Sequence, residues 1–208
     1  MLEQLGRRFA RFTTNQVLAR PRAWRVLRRL MRLQFDRLAP VWDSMRGPES
    51  LAPFEAALEA VDPPPRRVLD LGTGTGMGAF TVARRFPEAE VLGVDVALKM
   101  LARARANTPA ELIGRVRFEK GDASRLPYPD GAFDLVTLAN MIPFFDELAR
   151  VVAPGGWVLF AFSAGPETPI YVRPERLRAE LSTRGFMDFA EFAAGNGTAL
   201  VARKHGEA

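Results

Sequence analysis

The sequence predicts an α/β fold: a doubly wound, mostly parallel sheet of seven strands, closed by an antiparallel hairpin and preceded by N-terminal helices. Three observations carry this. Beyond Pro63-Pro64-Pro65 the chain alternates strand-like apolar runs with amphipathic helical stretches. One run, "FDLVTLAN" at 133–140, is apolar in the manner of a strand covered on both faces. The last two runs flank Gly195-Asn196-Gly197 with no helical stretch between them, which reads as a hairpin.

The elements follow in order. A helix around Leu2–Phe12 precedes Pro21, which starts or breaks the next one. Over 22–38, Trp24, Leu27, Met31, Phe35 and Leu38 recur at helical spacing, Val26, Leu30 and Leu33 widen the stripe, and arginines fill the rest. Gly47-Pro48 closes this region, and a helix over Ser50–Ala60 leads to the proline linker. The strand "RRVLDLG" then enters a helix over 76–86 that stops at Pro87. "EVLGVD" is a strand, "ALKMLARARAN" a helix and "VRFEKGD" a third strand ahead of the buried fourth. "FFDELARVVA" is a helix stopped by Pro154-Gly155-Gly156, and "WVLFAFS" a fifth strand. "PERLRAELSTRG" is a helix with Pro174 in its first turn and Gly185 at its end, before "MDFAEFA" and "GTALVAR". Residues 1–48 therefore read as a basic amphipathic helical region and 49–208 as the α/β domain.

Composition narrows the chemistry. The 208 residues, 48% hydrophobic and 25% charged, are ordinary for a globular domain. With no cysteine there is no disulfide, thiolate metal site or cysteine nucleophile. The one histidine, His205, sits in the polar C-terminal tail, so a histidine metal site or a Ser-His-Asp triad is not expected, and no metal is predicted. Residues 1–47 hold eleven arginines against Glu3, Asp36 and Asp43, a net of +8, whereas the rest carries −3. No apolar run has the roughly 18 residues that span a bilayer, and no signal-peptide core is evident, so a cytoplasmic location is expected.

The stretch "VLDLGTGTGMGAF" at 68–80 ends a strand in Asp70 and runs into glycines that suit close approach of a nucleotide. Gly74, Gly76 and Ala79 also satisfy the G-x-G-x-x-A form of a dinucleotide fingerprint, a weak signal alone. Four segments in order decide against it: "VLDLGTGTG", "VLGVDVALKML", "GDASRLPYPDGAFDLV" and "LARVVAPGG". Over about residues 40–205 the chain resembles a class I S-adenosylmethionine-dependent methyltransferase of the methyltransferase domain 11 type, which has a Rossmann-like sheet. The resemblance implies S-adenosylmethionine as cofactor and in-line methyl transfer. It implies that Gly72, Thr73, Gly74 and Gly76 line the methionine end, with Asp70 orienting the loop and facing its cationic groups. Asp95 would accept the ribose hydroxyls, Val96 and Met100 would lie against adenine, Asp122 would accept from its amino group and the Ala123 amide would donate to its ring. Asn140 sits at the last cofactor-side position.

Many family members carry histidines after the fourth strand, where this chain has "NMIPFFDELAR". Either the acceptor is already nucleophilic or a carboxylate such as Asp43 or Asp146 assists, and no catalytic residue is named. "NMIPFF" resembles the N/D-P-P-Y/F signature of amino methyltransferases, but two residues separate Asn140 from Pro143. "FDRLAPVWD" at 35–43 is similar to a segment of quinone-biosynthesis and phospholipid N-methyltransferases that helps close the pocket. Trp42, Asp43, Phe144 and Tyr171 are the acceptor-side candidates. The acceptor is expected to be a small or lipid-like molecule; nucleic acid is not expected, because the body lacks a broad basic surface. A non-catalytic cofactor-binding protein and, less favoured, a nucleic-acid methyltransferase remain as alternatives. The basic N-terminus admits two uses, a lid over the catalytic domain or contact with an anionic membrane. Oligomeric state is not legible.

Overall fold

The computed structural model describes residues 2–45 and 47–206; Arg46, counted above in the basic region, lies outside them. Seven strands form one sheet: β1 (Arg67–Leu71), β2 (Glu90–Asp95), β3 (Val116–Lys120), β4 (Phe133–Ala139), β5 (Val152–Phe162), β6 (Phe186–Ala194) and β7 (Gly197–Lys204), in the order β3-β2-β1-β4-β5-β7-β6. The first five are parallel, and β7 runs antiparallel to both β5 and β6. Strand side chains alternate between two cores. Leu69, Leu71, Val136, Leu138, Val158 and Phe160 enter one, and Val68, Leu135, Leu159 and Val201 the other.

The second core is covered by α3 (Ala52–Leu58), α4 (Met77–Arg85) and α5 (Leu98–Ala106). The first is covered by α6 (Phe145–Val151), α7 (Pro174–Ser182) and the N-terminal pair, α1 (Leu2–Ala19) and α2 (Trp24–Leu38). Ala10, Val17, Trp24 and Met31 of that pair are buried in the same core as the sheet. The amide of Gln34 donates to the carbonyl of Gly6 at 3.1 Å, which fixes the two helices as an antiparallel hairpin around Arg20.

Two sequence expectations are corrected. Val26, Leu30 and Leu33 do not widen the buried stripe of α2; they are 74%, 50% and 38% exposed, on the side away from Trp24, Met31 and Phe35. Pro154-Gly155-Gly156 does not separate helix from strand, because β5 already begins at Val152. The pairing jumps from Phe133–Val152 to Leu135–Trp157, so these residues form a bulge within the strand. A Cβ on Gly156 would stand 2.9 Å from the carbonyl of Asp134, and only glycine allows the strands to close there.

The direction of the order reverses between β1 and β4, where chain connections leave the sheet on opposite sides. A crevice opens there beyond the carboxyl ends of the strands, the usual ligand position on such sheets.

Candidate active site

The crevice holds a cavity open to solvent. Its floor is the turn after β1. Gly72 adopts φ +66° and Gly76 φ +90°, left-handed conformations that strain any side chain. A Cβ on Gly72 would meet the Met141 sulfur at 2.7 Å, so the backbone lies directly under a neighbour. Asp70 is buried on β1 beneath this turn. Its two oxygens accept from the hydroxyls of Thr73 (2.6 Å) and Thr137 (2.7 Å), which fixes the turn to β4.

Asp95 ends β2 across the turn. One oxygen accepts the Gly74 amide at 3.0 Å and the other the Ala97 amide at 2.8 Å. Burial, with a smaller contribution from the Asp70 charge, outweighs these bonds and pushes its carboxyl up to about 6. Each oxygen keeps lone-pair capacity for one further donor. Two carboxylates and the glycine turn therefore face one end of the cavity, with the amides of Gly72 and Thr73 bonded to the Val94 carbonyl and that of Gly74 to Asp95. Asp70, Gly72, Thr73, Gly74, Asp95, Val96, Met100, Ala123 and Asn140 all line it; Gly76 shapes the turn without lining it.

Two expected cofactor contacts are otherwise engaged. Asp122 accepts from the Trp24 indole (2.7 Å) and from the amide and hydroxyl of Ser124 on one oxygen, and from Arg28 (2.9 Å) on the other. These donors hold its carboxyl below the usual range despite the desolvation that opposes them. Asn140, at φ +53°, donates from its amide to the Ser163 hydroxyl and accepts from the Ser163 amide, clasping the ends of β4 and β5. Its side chain serves this clasp at the cavity edge.

The roof comes from the N-terminal region. Trp24, Met31, Phe35 and Trp42 line the cavity from above, with Phe35 and Trp42 packed edge to face at 5.5 Å. Several ties hold the roof down. Besides the Asp122 contacts, Asp36 accepts the Lys99 amide at 2.9 Å, and Asp43 accepts from Thr75, Arg103 and Asn107. At the far end Arg7 donates to the Glu167 carbonyl and Arg11 to the Pro166 carbonyl.

Of the acceptor-side candidates, Trp42 lines the cavity. Asp43 is a latch: three donors occupy it and keep its carboxyl low, so it is not free to take a proton. Phe144 backs Trp24 at 5.5 Å, and Tyr171 packs on Phe162 at 5.1 Å; neither lines the cavity, where Ile142 and Ile170 stand instead. Asp146 pairs with Arg184 at the surface. Among the described residues, Asp70 and Asp95 are the titratable groups of the lining, and no cluster suited to a metal occurs.

Arg150, to which the sequence motifs assign no role, supports the site from outside it. It bonds the carbonyls of Leu126 and Tyr128 and donates to both oxygens of Glu147, one of which also accepts the Leu126 amide at 2.7 Å. These bonds pin the loop that presents Asp122 and Ala123. An arginine at helical spacing from Glu147 was the available signal.

Residues 68–156 match the family model described as methyltransferase domain. Over this stretch, from β1 into β5, the chain is similar to class I S-adenosylmethionine-dependent methyltransferases. The chain is 46% identical over 108 residues to a demethylmenaquinone methyltransferase of Deinococcus radiodurans, covering 49% of this chain and 44% of the relative. A second demethylmenaquinone methyltransferase, of Thermus thermophilus, is 42% identical, covering 59% and 60%. A malonyl-[acyl-carrier protein] O-methyltransferase of Halorhodospira halophila is 40% identical, covering 68% and 50%. The matches thus span about half the length of these relatives. The methyltransferase fold also superimposes on a SAM-dependent methyltransferase from Aquifex aeolicus with a TM-score of 0.65 at 19% identity, covering 79% of this chain and 97% of that one.

Proposed function

We propose that this protein transfers a methyl group from S-adenosylmethionine to a small, apolar or amphipathic acceptor whose accepting atom needs no protein base. The observation that carries the cofactor reading is the pair of carboxylates, Asp70 and Asp95, on either side of the glycine turn at the carboxyl ends of β1 and β2. A cationic sulfonium and amino group suit that end of the cavity, and a ribose diol suits the free lone pairs of Asp95. Met100 and Val96 offer an apolar wall for the base. When bound, the cofactor supplies a methyl group already activated by positive charge.

The protein's part is then positioning and exclusion of water. Asp70 and Thr73 hold the turn, Asp95 orients the sugar, and Trp24, Met31, Phe35 and Trp42 close the roof. Beyond the two aspartates the lining carries no titratable side chain among the described residues, which supports an acceptor such as an enolate, phenolate or amine. The relatives named for demethylmenaquinone and malonyl-[acyl-carrier protein] support a carbon or oxygen acceptor on an apolar carrier. Titration calorimetry tests the reading: S-adenosylmethionine and S-adenosylhomocysteine are expected to bind at about micromolar Kd and NADH not to bind. Tight NADH binding without affinity for the methyl donor would overturn it. A turnover screen corrected for donor hydrolysis separates an enzyme from a non-catalytic binding protein.

A further inference from the structure

The N-terminal hairpin has two apolar faces. The inner one, Trp24, Leu27, Met31, Phe35 and Leu38, packs on the core and the cavity. The outer one consists of Val26, Leu30 and Leu33 on α2, with Leu5 and Phe12 of α1, which are 54% and 53% exposed. At 100° per residue, Val26, Leu30 and Leu33 share a face opposite the buried one, and Leu5 and Phe12 share a face of α1. The Gln34–Gly6 bond sets the level of the antiparallel pair. Counting from it, Leu5 falls beside Leu33, and Phe12 beside Val26 and Leu30. The five side chains therefore make one strip along the outside of the hairpin.

Arginines border the strip. Between Gln4 and Phe35 the chain has nine arginines and no acidic residue. Arg8, Arg25, Arg29 and Arg37 are exposed and have no ion pair or hydrogen bond among the described residues. Arg7, Arg11 and Arg28, by contrast, turn inward to carbonyls and to Asp122. Apolar side chains left in water amid hydrated, unpaired cations are complementary to an interface of acyl chains and anionic headgroups.

The geometry points to the outer face of this hairpin as a docking surface for an anionic lipid bilayer, while its inner face roofs the active site. A nucleic acid would use the arginines but leave the strip in water, and a lid alone would leave both unused. No helix among the described residues is long and apolar enough to cross a membrane, so the contact is peripheral. It places the cavity roof, through Met31 and Phe35 on the same helix, next to the lipid surface. The inference concerns the surface and stands independently of the methyl-transfer reading, because its test needs no turnover.

Co-sedimentation of the full chain with phosphatidylglycerol–phosphatidylcholine vesicles tests it, against pure phosphatidylcholine. Binding to the anionic vesicles is expected, weakening as salt is raised, with little to the neutral ones. The apolar variant V26Q/L30Q/L33Q and the charge variant R25Q/R29Q/R37Q should each lower partitioning by about tenfold or more, since each arginine near the surface is worth about fivefold. Both sets lie outside the core and the cavity, so melting temperature and S-adenosylhomocysteine affinity should hold; V26Q alone serves the same test if a triple loses its fold. The proposal is overturned if the full chain ignores anionic vesicles at low salt, or if both triples bind as the parent does. It is also overturned if duplex DNA or RNA binds more tightly than vesicles, or if the strip is covered by a second copy, seen as a dimer that V26Q/L30Q/L33Q makes monomeric.

Discussion

Replacing Asp95 by asparagine should separate ligand binding from stability. The carboxyl rises from 3.8 to about 6 because folding takes it out of water. At about 1.4 kcal/mol per pH unit, holding it ionised at pH 7 costs the fold roughly 3 kcal/mol. The sign follows from which form the fold prefers. The unfolded chain ionises Asp95 near 3.8 and the folded one near 6, so the stability this group contributes is intact in acid. It is lost progressively as pH rises between those values. Asparagine removes the ionisation cost but can accept only on one side, leaving either the Gly74 or the Ala97 amide short of a partner, a loss of about 1–3 kcal/mol. The two nearly cancel, so the unliganded melting temperature at pH 7 should hold or rise slightly. Cofactor binding has no such compensation: losing the carboxylate should weaken it by about 1.5–3 kcal/mol, a factor of roughly 10 to 150. Calorimetry across pH 5 to 8 adds a second signature, with parent affinity falling as pH drops below about 6 and Asp95→Asn affinity flat. An Asp95→Asn protein that melts far earlier yet binds S-adenosylhomocysteine normally would refute the reasoning, making the carboxylate a structural cap.

Three further outcomes follow from the same geometry. Thr137→Val removes a donor from buried Asp70 and should cost about 1–3 kcal/mol in denaturant melts; an unchanged midpoint would mean another donor replaces it. Asp43→Asn loosens the latch; Asp43 and Arg103 are partly exposed and asparagine can still accept from the buried Thr75 hydroxyl, so stability should drop by only about 1 kcal/mol. Trypsin should then cut sooner within residues 20–45, and equal cleavage rates would deny the latch. Trp24→Phe breaks the indole bond to Asp122 but keeps the contact with Phe144, and should lose about 1–2 kcal/mol while speeding association of S-adenosylhomocysteine in stopped flow. An association rate equal to the parent's would show that the roof does not gate entry.

The strands and the glycine turn were legible because local pattern determines them. Runs such as Val68–Leu71 and Leu135–Leu138 alternate between two cores, and each reads as buried whichever core receives it. The outer strip was not legible, since the periodicity of α2 puts eight apolar residues within reach of one broad stripe and does not say how wide the buried sector is. Pro154-Gly155-Gly156 carries every local mark of a break, yet the register shift against Phe133–Leu135 absorbs it inside β5. The engagement of Asp122 and Asp43 depends on partners far away in sequence, Trp24 and Arg28 for one and Thr75, Arg103 and Asn107 for the other. Motif spacing places such carboxylates at a cleft and leaves open which donor reaches them.

The most direct test of the account is a crystal structure of the protein with S-adenosylhomocysteine. The account predicts the ribose hydroxyls on the Asp95 oxygens, the homocysteine portion over Gly72–Gly74 beside Asp70, and the base against Val96 and Met100 beneath the N-terminal roof. Nucleoside density elsewhere, or in this cleft without a contact to Asp95, would contradict it.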